Sequence, residues 1–219
     1  MNVHMKIGLF WLLGAGFLLA SSASAAGPRQ RVVILGNSLT AGYGLDPDLA
    51  FPALLQRKVD AAGLDFEIVN AGVSGDTSAG GARRIRWLLR KQIDVLVLEL
   101  GANDGLRGVS LDSTRDNLQK IIRETRSRNP EADIIIAGMM VPPNLGPEYT
   151  RTFRELFVEL ADQNGCPLIP FLLEGVAGRS ELNLPDGIHP TPEGHRIVAE
   201  NVWKVLEPVL RKRSRKAAE

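Results

Sequence analysis

The sequence is poor in cysteine, histidine and aromatic residues, and it carries almost no net charge. Cys166 is the only cysteine among 219 residues, so an intramolecular disulfide is excluded and we expect a small buried apolar side chain there. Three histidines and one cysteine, at no ligand spacing, indicate no zinc site. A formal net charge of +1 gives no electrostatic reason to expect a nucleic-acid partner.

The first 26 residues predict a cleaved export signal. Lys6 precedes an apolar run at 7–20, and small residues including Ala23 and Ala25 follow that run. The run is shorter than the ~20 apolar residues that span a bilayer, and an uncleaved N-terminal anchor is the alternative. We therefore expect export to the periplasm or the medium, with equal numbers of basic and acidic residues in the mature chain.

The remaining chain predicts one α/β domain over residues 27–213, followed by a basic tail at 214–219. Predicted strands are 31–35, 66–70, 93–100, 132–138 and 167–171, and they alternate with predicted helices at 48–62, 77–91, 111–128, 149–164 and 192–212. The strands are continuous apolar runs, which favours a parallel sheet covered on both faces. The expected fold is a three-layer α/β/α sandwich with a five-stranded parallel, flavodoxin-like sheet.

Polar and glycine-rich loops follow the predicted strands. They read GNSLTAGYG (36–44), AGVSGDTSAGG (71–81), GANDGLRG (101–108), MMVPPNLGPEY (139–149) and LNLPDGIHP (182–190). Ligands bind at the carboxyl ends of the strands in open α/β sheets. The sequence therefore predicts one site that is built from several strand ends.

The first loop does not match a phosphate-binding motif. It lacks the lysine of a Walker loop, and the interval from Gly36 to Gly42 does not fit a dinucleotide fingerprint. The only tyrosines, Tyr43 and Tyr149, leave few aromatic rings to stack on a flavin. We expect no cofactor, and a non-catalytic flavodoxin-like binding module stays as a distant alternative.

A serine nucleophile is the second hypothesis for this loop. The Ser38 hydroxyl would need a base, and histidine is the usual one. His189 lies in PDGIHP with Asp186 three residues earlier, across an Asp-Gly turn that brings the carboxylate within reach of the imidazole. His195 falls in the first turns of the last helix, where we interpret it as a packing residue. Ser38, His189 and Asp186 are therefore the candidates for acyl transfer.

Acyl transfer also needs donors for the developing oxyanion. Gly75 lies in a glycine turn that exposes backbone N–H groups, and Asn103 offers a side-chain amide. Both follow strands that would flank the first loop. They are the candidates for the oxyanion site.

These residues stand in four blocks, GNSLTAGYG, NAGVSGDTS, GANDGLRG and PDGIHP. The chain resembles the SGNH hydrolases (GDSL esterases and lipases), whose blocks centre on Ser, Gly, Asn and Asp-x-x-His in this order. It is most similar to their periplasmic thioesterase/lysophospholipase and arylesterase members. The resemblance implies that Ser38 is the nucleophile, that His189 is its base and that Asp186 orients His189. It also implies an oxyanion hole formed by the N–H groups of Ser38 and Gly75 with the side chain of Asn103.

The resemblance further implies a hydrolase of esters, thioesters or lysophospholipids that works through an acyl-enzyme. The alternative is a carbohydrate O-acetylesterase of the same superfamily. The acyl group is expected to contact Leu106, Val141, Pro142 and Leu145. The expected partner is a small acyl ester or thioester, with transient membrane or lysophospholipid contact, and a monomer is expected.

One residue departs from the family pattern. The first block of the family is GDSL, and this chain has Asn37 in place of the aspartate. We expect activity to survive because Asn37 is not one of the site residues that the resemblance implies. Its hydrogen bonds must differ, because an amide donates as well as accepts.

Overall fold

The structure is a computed structural model that describes residue 1 and residues 29–218. The predicted export signal at 1–26 thus lies outside the described residues, apart from Met1. Among the described residues, no helix combines the length and the apolar character that crossing a membrane requires.

Five parallel strands form a single sheet. They are β1 (Gln30–Gly36), β2 (Phe66–Gly72), β3 (Val95–Glu99), β4 (Asp133–Ala137) and β5 (Leu168–Ile169). Their order is β2-β1-β3-β4-β5, and all neighbouring pairs are parallel. This arrangement confirms the predicted flavodoxin-like sheet, in which the strand order reverses at β1. β5 is shorter than the predicted 167–171 because the chain leaves the regular ladder after Ile169, and the N–H of Leu172 then donates to the carbonyl oxygen of Gly138.

Seven α-helices lie within the described residues, and the first six of them connect the strands. They are α1 (Ser38–Ala41), α2 (Phe51–Ala61), α3 (Ser78–Leu88), α4 (Ala102–Leu106), α5 (Leu111–Arg128), α6 (Pro147–Asn164) and α7 (Pro192–Ala218). α3 packs on α5 and α5 packs on α6, whereas α2 packs on α7 across the sheet. The five long helices correspond to the predicted ones. The short helices α1 and α4 were not predicted, because one turn is too short to show a helical period.

The core occupies both faces of the sheet. The central strands β1 and β3 are buried along nearly their whole length, as the continuous apolar runs predicted. Phe51 and Leu55 of α2 are fully buried on one face, and Phe153 and Phe157 of α6 are fully buried on the other. The ring centroids of Phe153 and Phe157 lie 5.3 Å apart at an edge-to-face angle of 72°, a favourable aromatic geometry.

The last helix is anchored at its C-terminal end. α7 continues to Ala218, so most of the segment predicted as a basic tail at 214–219 is helical. The Arg213 guanidinium donates to Asp94, Asp133, Gln30 and the carbonyl oxygen of Glu131. These groups lie at the amino ends of the strands. Arg213 therefore fixes α7 to the sheet at the end opposite the loops that were predicted to form the site.

Replacing Arg213 by alanine is expected to lower the free energy of unfolding by about 1–3 kcal/mol, because it leaves the buried carboxylate of Asp94 without its cation. Arg215, which is exposed on the same helix, serves as the matched control, and Arg215→Ala should change stability by less than about 0.5 kcal/mol. Urea denaturation followed by circular dichroism measures both values. Equal losses in the two variants would contradict the anchoring role.

Candidate active site

Ser38 stands where the chain leaves the central strand of the sheet. β1 ends at Gly36, the chain turns at Asn37, and α1 begins at Ser38. Asn37 caps α1, since its Oδ1 accepts a hydrogen bond from the backbone N–H of Leu39 at 2.8 Å. This cap fixes the direction of the turn. As a result the Ser38 side chain is partly exposed at the carboxyl end of the sheet.

His189 connects Ser38 to a carboxylate. Its Nε2 lies 2.9 Å from Ser38 Oγ, and its Nδ1 lies 2.6 Å from Asp186 Oδ2. Hydrogen bonds from the backbone N–H and the ring of His189, and from the backbone N–H of Ile188, lower the pKa of Asp186 to about 2. Asp186 is therefore a carboxylate at neutral pH and accepts the Nδ1 proton. That tautomer leaves Nε2 free to accept the proton of Ser38.

A tight turn fixes the relation between Asp186 and His189. Asp186 Oδ1 accepts from the backbone N–H groups of Ile188 at 2.9 Å and His189 at 3.0 Å. Gly187 between them has φ = +70°, a left-handed conformation that glycine adopts without strain. The N–H of Leu184 donates to the carbonyl oxygen of His189 at 2.7 Å and closes the loop. The two side chains are therefore aligned by their own backbone.

His195 and Cys166 lie outside this arrangement. His195 is 1% exposed, and its Nδ1 accepts the backbone N–H of Phe51 at 3.1 Å. Burial, with a smaller effect from His189, lowers the pKa of His195 to about 4, so it is neutral at neutral pH. Cys166 is only partly buried, and burial raises the pKa of its thiol. His195 is therefore the packing residue that the sequence predicted.

The sequence predicts three N–H donors for the oxyanion, on Ser38, Gly75 and Asn103. Within residues 29–218, the backbone N–H groups of Ser38 and Gly75 donate to no protein acceptor. Gly75 has φ = +79°, and a Cβ there would meet only Arg107 Nη2 at 3.8 Å, so conformation rather than space requires the glycine. Asn103 Nδ2 donates one hydrogen to the carbonyl oxygen of Asp76 at 2.8 Å and keeps a second hydrogen for a ligand.

Buried ionic and polar contacts hold these loops against the nucleophile turn. Arg84 Nε donates to Asp76 Oδ2 at 2.7 Å, and its Nη2 donates to the carbonyl oxygen of Gly36 at 2.9 Å. The buried carboxylate of Asp104 accepts from Ser78 through the backbone N–H at 2.8 Å and the hydroxyl at 2.5 Å. The loops after β1, β2 and β3 are thereby joined to one another.

A mainly apolar cleft of about 530 Å³ opens beside Ser38. Of the residues predicted to contact an acyl group, Leu106, Val141 and Pro142 line this cleft. Leu145 is not among the lining residues. It lies in a short helical turn further along the loop and is 36% exposed. Leu106 is 43% exposed and stands at the rim.

Several residues that line the cleft were not predicted from the sequence. Further lining residues that it missed are Leu39, Phe171, Leu173, Ala177 and Ile188. Phe171 had been placed in the last strand, but the strand ends two residues earlier and the following loop turns into the cleft. Tyr43, considered only as a flavin contact, packs its ring on His189 with centroids 4.4 Å apart.

This geometry suits nucleophilic acyl chemistry. A hydroxyl is hydrogen-bonded to an imidazole, the imidazole is hydrogen-bonded to a carboxylate, and Asn103, which has an unused amide hydrogen, lines the same cleft as the hydroxyl. Within residues 29–218, no three His, Cys, Asp or Glu side chains come together in a group that could hold a metal ion.

Comparisons with known proteins agree with this geometry. Esterase TesA of Pseudomonas aeruginosa is 38% identical over 200 residues, covering 91% of this chain and 98% of that protein. The Escherichia coli protein named Thioesterase 1/protease 1/lysophospholipase L1 is 34% identical over 201 residues, covering 91% and 94%. A crystal structure of TesA matches with a TM-score of 0.78 at 39% identity, covering 82% of this chain and 99% of that one.

The match to the family itself spans most of the domain. Residues 34–197 match the GDSL-like Lipase/Acylhydrolase family, and this span contains all four blocks on which the resemblance was based. The fold, the identity to the relatives and the family match agree with one another. The chain belongs to the GDSL-like lipase/acylhydrolase family and is an esterase-type hydrolase.

Proposed function

We propose that this hydrolase cleaves esters and thioesters of apolar acyl groups through an acyl-enzyme on Ser38. The observation that supports this most directly is the continuous contact from Ser38 Oγ to His189 and from His189 to Asp186, at 2.9 and 2.6 Å. No other histidine in residues 29–218 contacts a serine hydroxyl. Ser38 is thus the hydroxyl that has a base in place.

In the first half-reaction, Ser38 Oγ attacks the acyl carbonyl carbon while His189 Nε2 takes the hydroxyl proton. The carbonyl oxygen becomes an oxyanion and accepts hydrogen bonds from the N–H of Ser38, the N–H of Gly75 and Asn103 Nδ2. The bond to the leaving oxygen or sulfur then breaks, and His189 returns the proton to the leaving group. The acyl group remains as an ester on Ser38.

In the second half-reaction, water attacks the acyl carbon and His189 takes a proton from that water. The oxyanion re-forms against the same donors, and Ser38 leaves with the proton that His189 returns. Asp186 keeps the Nδ1 proton on the imidazole and favours the imidazolium that forms in each step. A carboxylate with a pKa of about 2 does this over the whole neutral range.

The acyl group lies in the apolar cleft. A cleft of about 530 Å³ lined by Phe171, Leu173 and Val141 is much larger than an acetyl group requires. Its lining supports a longer acyl chain over the O-acetylesterase alternative, because each buried methylene contributes ~0.8 kcal/mol. The names of the relatives, which include an esterase and a thioesterase/lysophospholipase, support the same substrate range.

We also propose that the protein is exported, on the strength of the basic, apolar and small-residue pattern at residues 1–26. The protein recovered from the periplasm or the medium is expected to begin near Gly27. N-terminal sequencing of that fraction measures this. Full-length protein confined to the cytoplasm would contradict export.

Ser38→Ala and His189→Ala should each lower kcat for p-nitrophenyl butyrate by about 10³-fold or more, because each removes a group that takes part in bond making. His195→Asn is the matched control, since an amide oxygen can accept from the Phe51 N–H as His195 does. Steady-state kinetics on the folded variants provide the comparison. Turnover retained by Ser38→Ala, or a larger loss in His195→Asn than in His189→Ala, would contradict the mechanism.

For p-nitrophenyl esters of increasing chain length, kcat/KM should rise from acetate to longer acyl groups by up to about fourfold per methylene that enters the cleft. Phe171→Ala should weaken that rise, because it removes a lining side chain. Leu145→Ala, which changes an apolar residue of the same region outside the cleft, should leave the rise unchanged. A preference for acetate, with acetylated sugars as the better substrates, would favour the O-acetylesterase alternative instead.

A further inference from the structure

A buried carboxylate lies directly beneath the nucleophile turn. Glu99, the last residue of β3, is 0% exposed. It accepts three hydrogen bonds: from the backbone N–H of Asn37 at 3.0 Å, from Asn37 Nδ2 at 2.8 Å and from Thr40 Oγ1 at 2.6 Å. Asn37 and Thr40 flank Ser38 in the chain. Every side chain or backbone group that donates to Glu99 therefore belongs to the turn that carries the nucleophile.

Glu99 and Thr40 leave no room for a side chain at position 36. A Cβ added to Gly36 would lie 2.3 Å from Glu99 Oε2 and 2.0 Å from Thr40 Oγ1, so only glycine fits there. No salt bridge among the described residues involves Glu99. Within residues 29–218, its carboxyl group is thus held by hydrogen bonds from the turn rather than by a cation.

We propose that Glu99 and Asn37 form a directional pair that positions Ser38, with the Asn37 amide donating to the Glu99 carboxylate. Glu99 is a positioning residue in this proposal, because it acts on the nucleophile through the turn. The proposal rests on the role of Ser38 proposed above.

The orientation of the Asn37 amide is fixed from both sides. Its oxygen accepts from the Leu39 N–H at 2.8 Å, so its nitrogen must point to Glu99 Oε1. The same turn carries both Ser38 Oγ, which attacks, and the Ser38 N–H, which contacts the oxyanion. A displaced turn would misalign both groups in the transition state, so kcat should suffer more than KM.

At position 37, where the family block has an aspartate, this chain presents a hydrogen-bond donor to Glu99. With an aspartate at position 37, two carboxyl oxygens would meet across a distance of 2.8 Å and would have to share a proton. The amide of Asn37 supplies a hydrogen that does not titrate. Burial already raises the pKa of Glu99 to about 7, against the opposing effect of its hydrogen bonds, so a second carboxylate would raise it further.

The charged groups around Glu99 are few. α3 faces the turn with Arg84, which donates to the carbonyl oxygen of Gly36 and is paired with Asp76. β4 presents the uncharged Ala137 beside the end of β3, since Leu98 pairs with Ile136 one residue earlier. α1 contributes no ionisable group, because it reads SLTA. The protonation of Glu99 is therefore governed by its burial and by the hydrogen bonds from the turn.

The test exchanges the two functional groups. In Glu99→Gln, the new amide nitrogen faces the Asn37 nitrogen, and two donors oppose each other. In Asn37→Asp, two carboxyl groups share a proton, which alkaline pH removes. In the double variant Asn37→Asp/Glu99→Gln, the amide and the carboxylate have changed places and every hydrogen bond can form again.

We expect Glu99→Gln to lower kcat at least tenfold from pH 6 to pH 9 with KM changed less than threefold. Asn37→Asp should stay within threefold of wild type at pH 6 and lose activity as pH rises to 9. The double variant should recover at least fivefold in kcat over Glu99→Gln and should lack the alkaline loss. Activities are measured with p-nitrophenyl butyrate, and thermal unfolding is followed for each variant.

Asp94→Asn is the matched control, because Asp94 is a buried carboxylate at the opposite end of β3 that accepts the Arg31 N–H at 2.8 Å. It should lower the melting temperature and leave kcat within twofold.

Three results would overturn the positioning role: wild-type kcat in Glu99→Gln, no recovery in the double variant, or an equal loss in Asp94→Asn. If Glu99→Gln does not fold, the pH profiles of Asn37→Asp and the double variant decide, and identical profiles overturn it. Turnover by Ser38→Ala would instead overturn the proposed function.

Discussion

The site depends on the register of three parallel strands, which makes β1, β2 and β3 end side by side. Gly36 of β1 pairs with Gly72 of β2 on one side and with Glu99 of β3 on the other, so the three strands finish side by side. This register brings the loops after β1, β2 and β3 to one edge of the sheet. Those loops supply Ser38, Gly75 and Asn103 respectively. A change of register would separate groups that are far apart in sequence, because the sheet sets where the three loops begin.

The base reaches this edge by a different route. His189 comes from the loop before α7, and its ring meets Ser38 although 151 residues separate them in the chain. The Asp186 turn aligns the imidazole locally, while the packing of α7 against α2 places the loop as a whole. Local hydrogen bonds therefore set the orientation of the base, and helix packing sets its distance from the nucleophile. Arg213 secures that helix at the far end of the sheet.

The sequence was sufficient to predict the sheet and the contacts among Ser38, His189 and Asp186, for two physical reasons. Apolar runs and helical spacing are local patterns, and they identified all five strands and the five long helices. The scarcity of histidine left His189, with Asp186 three residues before it, as the one suitable base. The order of the blocks then indicated the donors Gly75 and Asn103.

Other features depended on contacts that a sequence does not display. Glu99 sits in an apolar strand run, where nothing marks it as the acceptor of hydrogen bonds from a turn 62 residues earlier. Phe171 and Leu173 line the cleft because the last strand is only two residues long and the chain then turns toward the cleft. The sequence did not show where this strand ends. Leu145 has suitable chemistry for an acyl contact, but the direction of its loop places it outside the cleft. Side-chain direction in irregular loops is set by tertiary packing.

We propose that the chain reacts through Ser38. Treating the protein with a fluorophosphonate and mapping the adduct by mass spectrometry tests this most directly, because such reagents phosphonylate an activated serine and stay bound. We expect one adduct, on the peptide that contains Ser38, and very slow labelling when His189 is replaced by alanine. An adduct on another residue, or labelling of the Ser38→Ala variant at the wild-type rate, would contradict it.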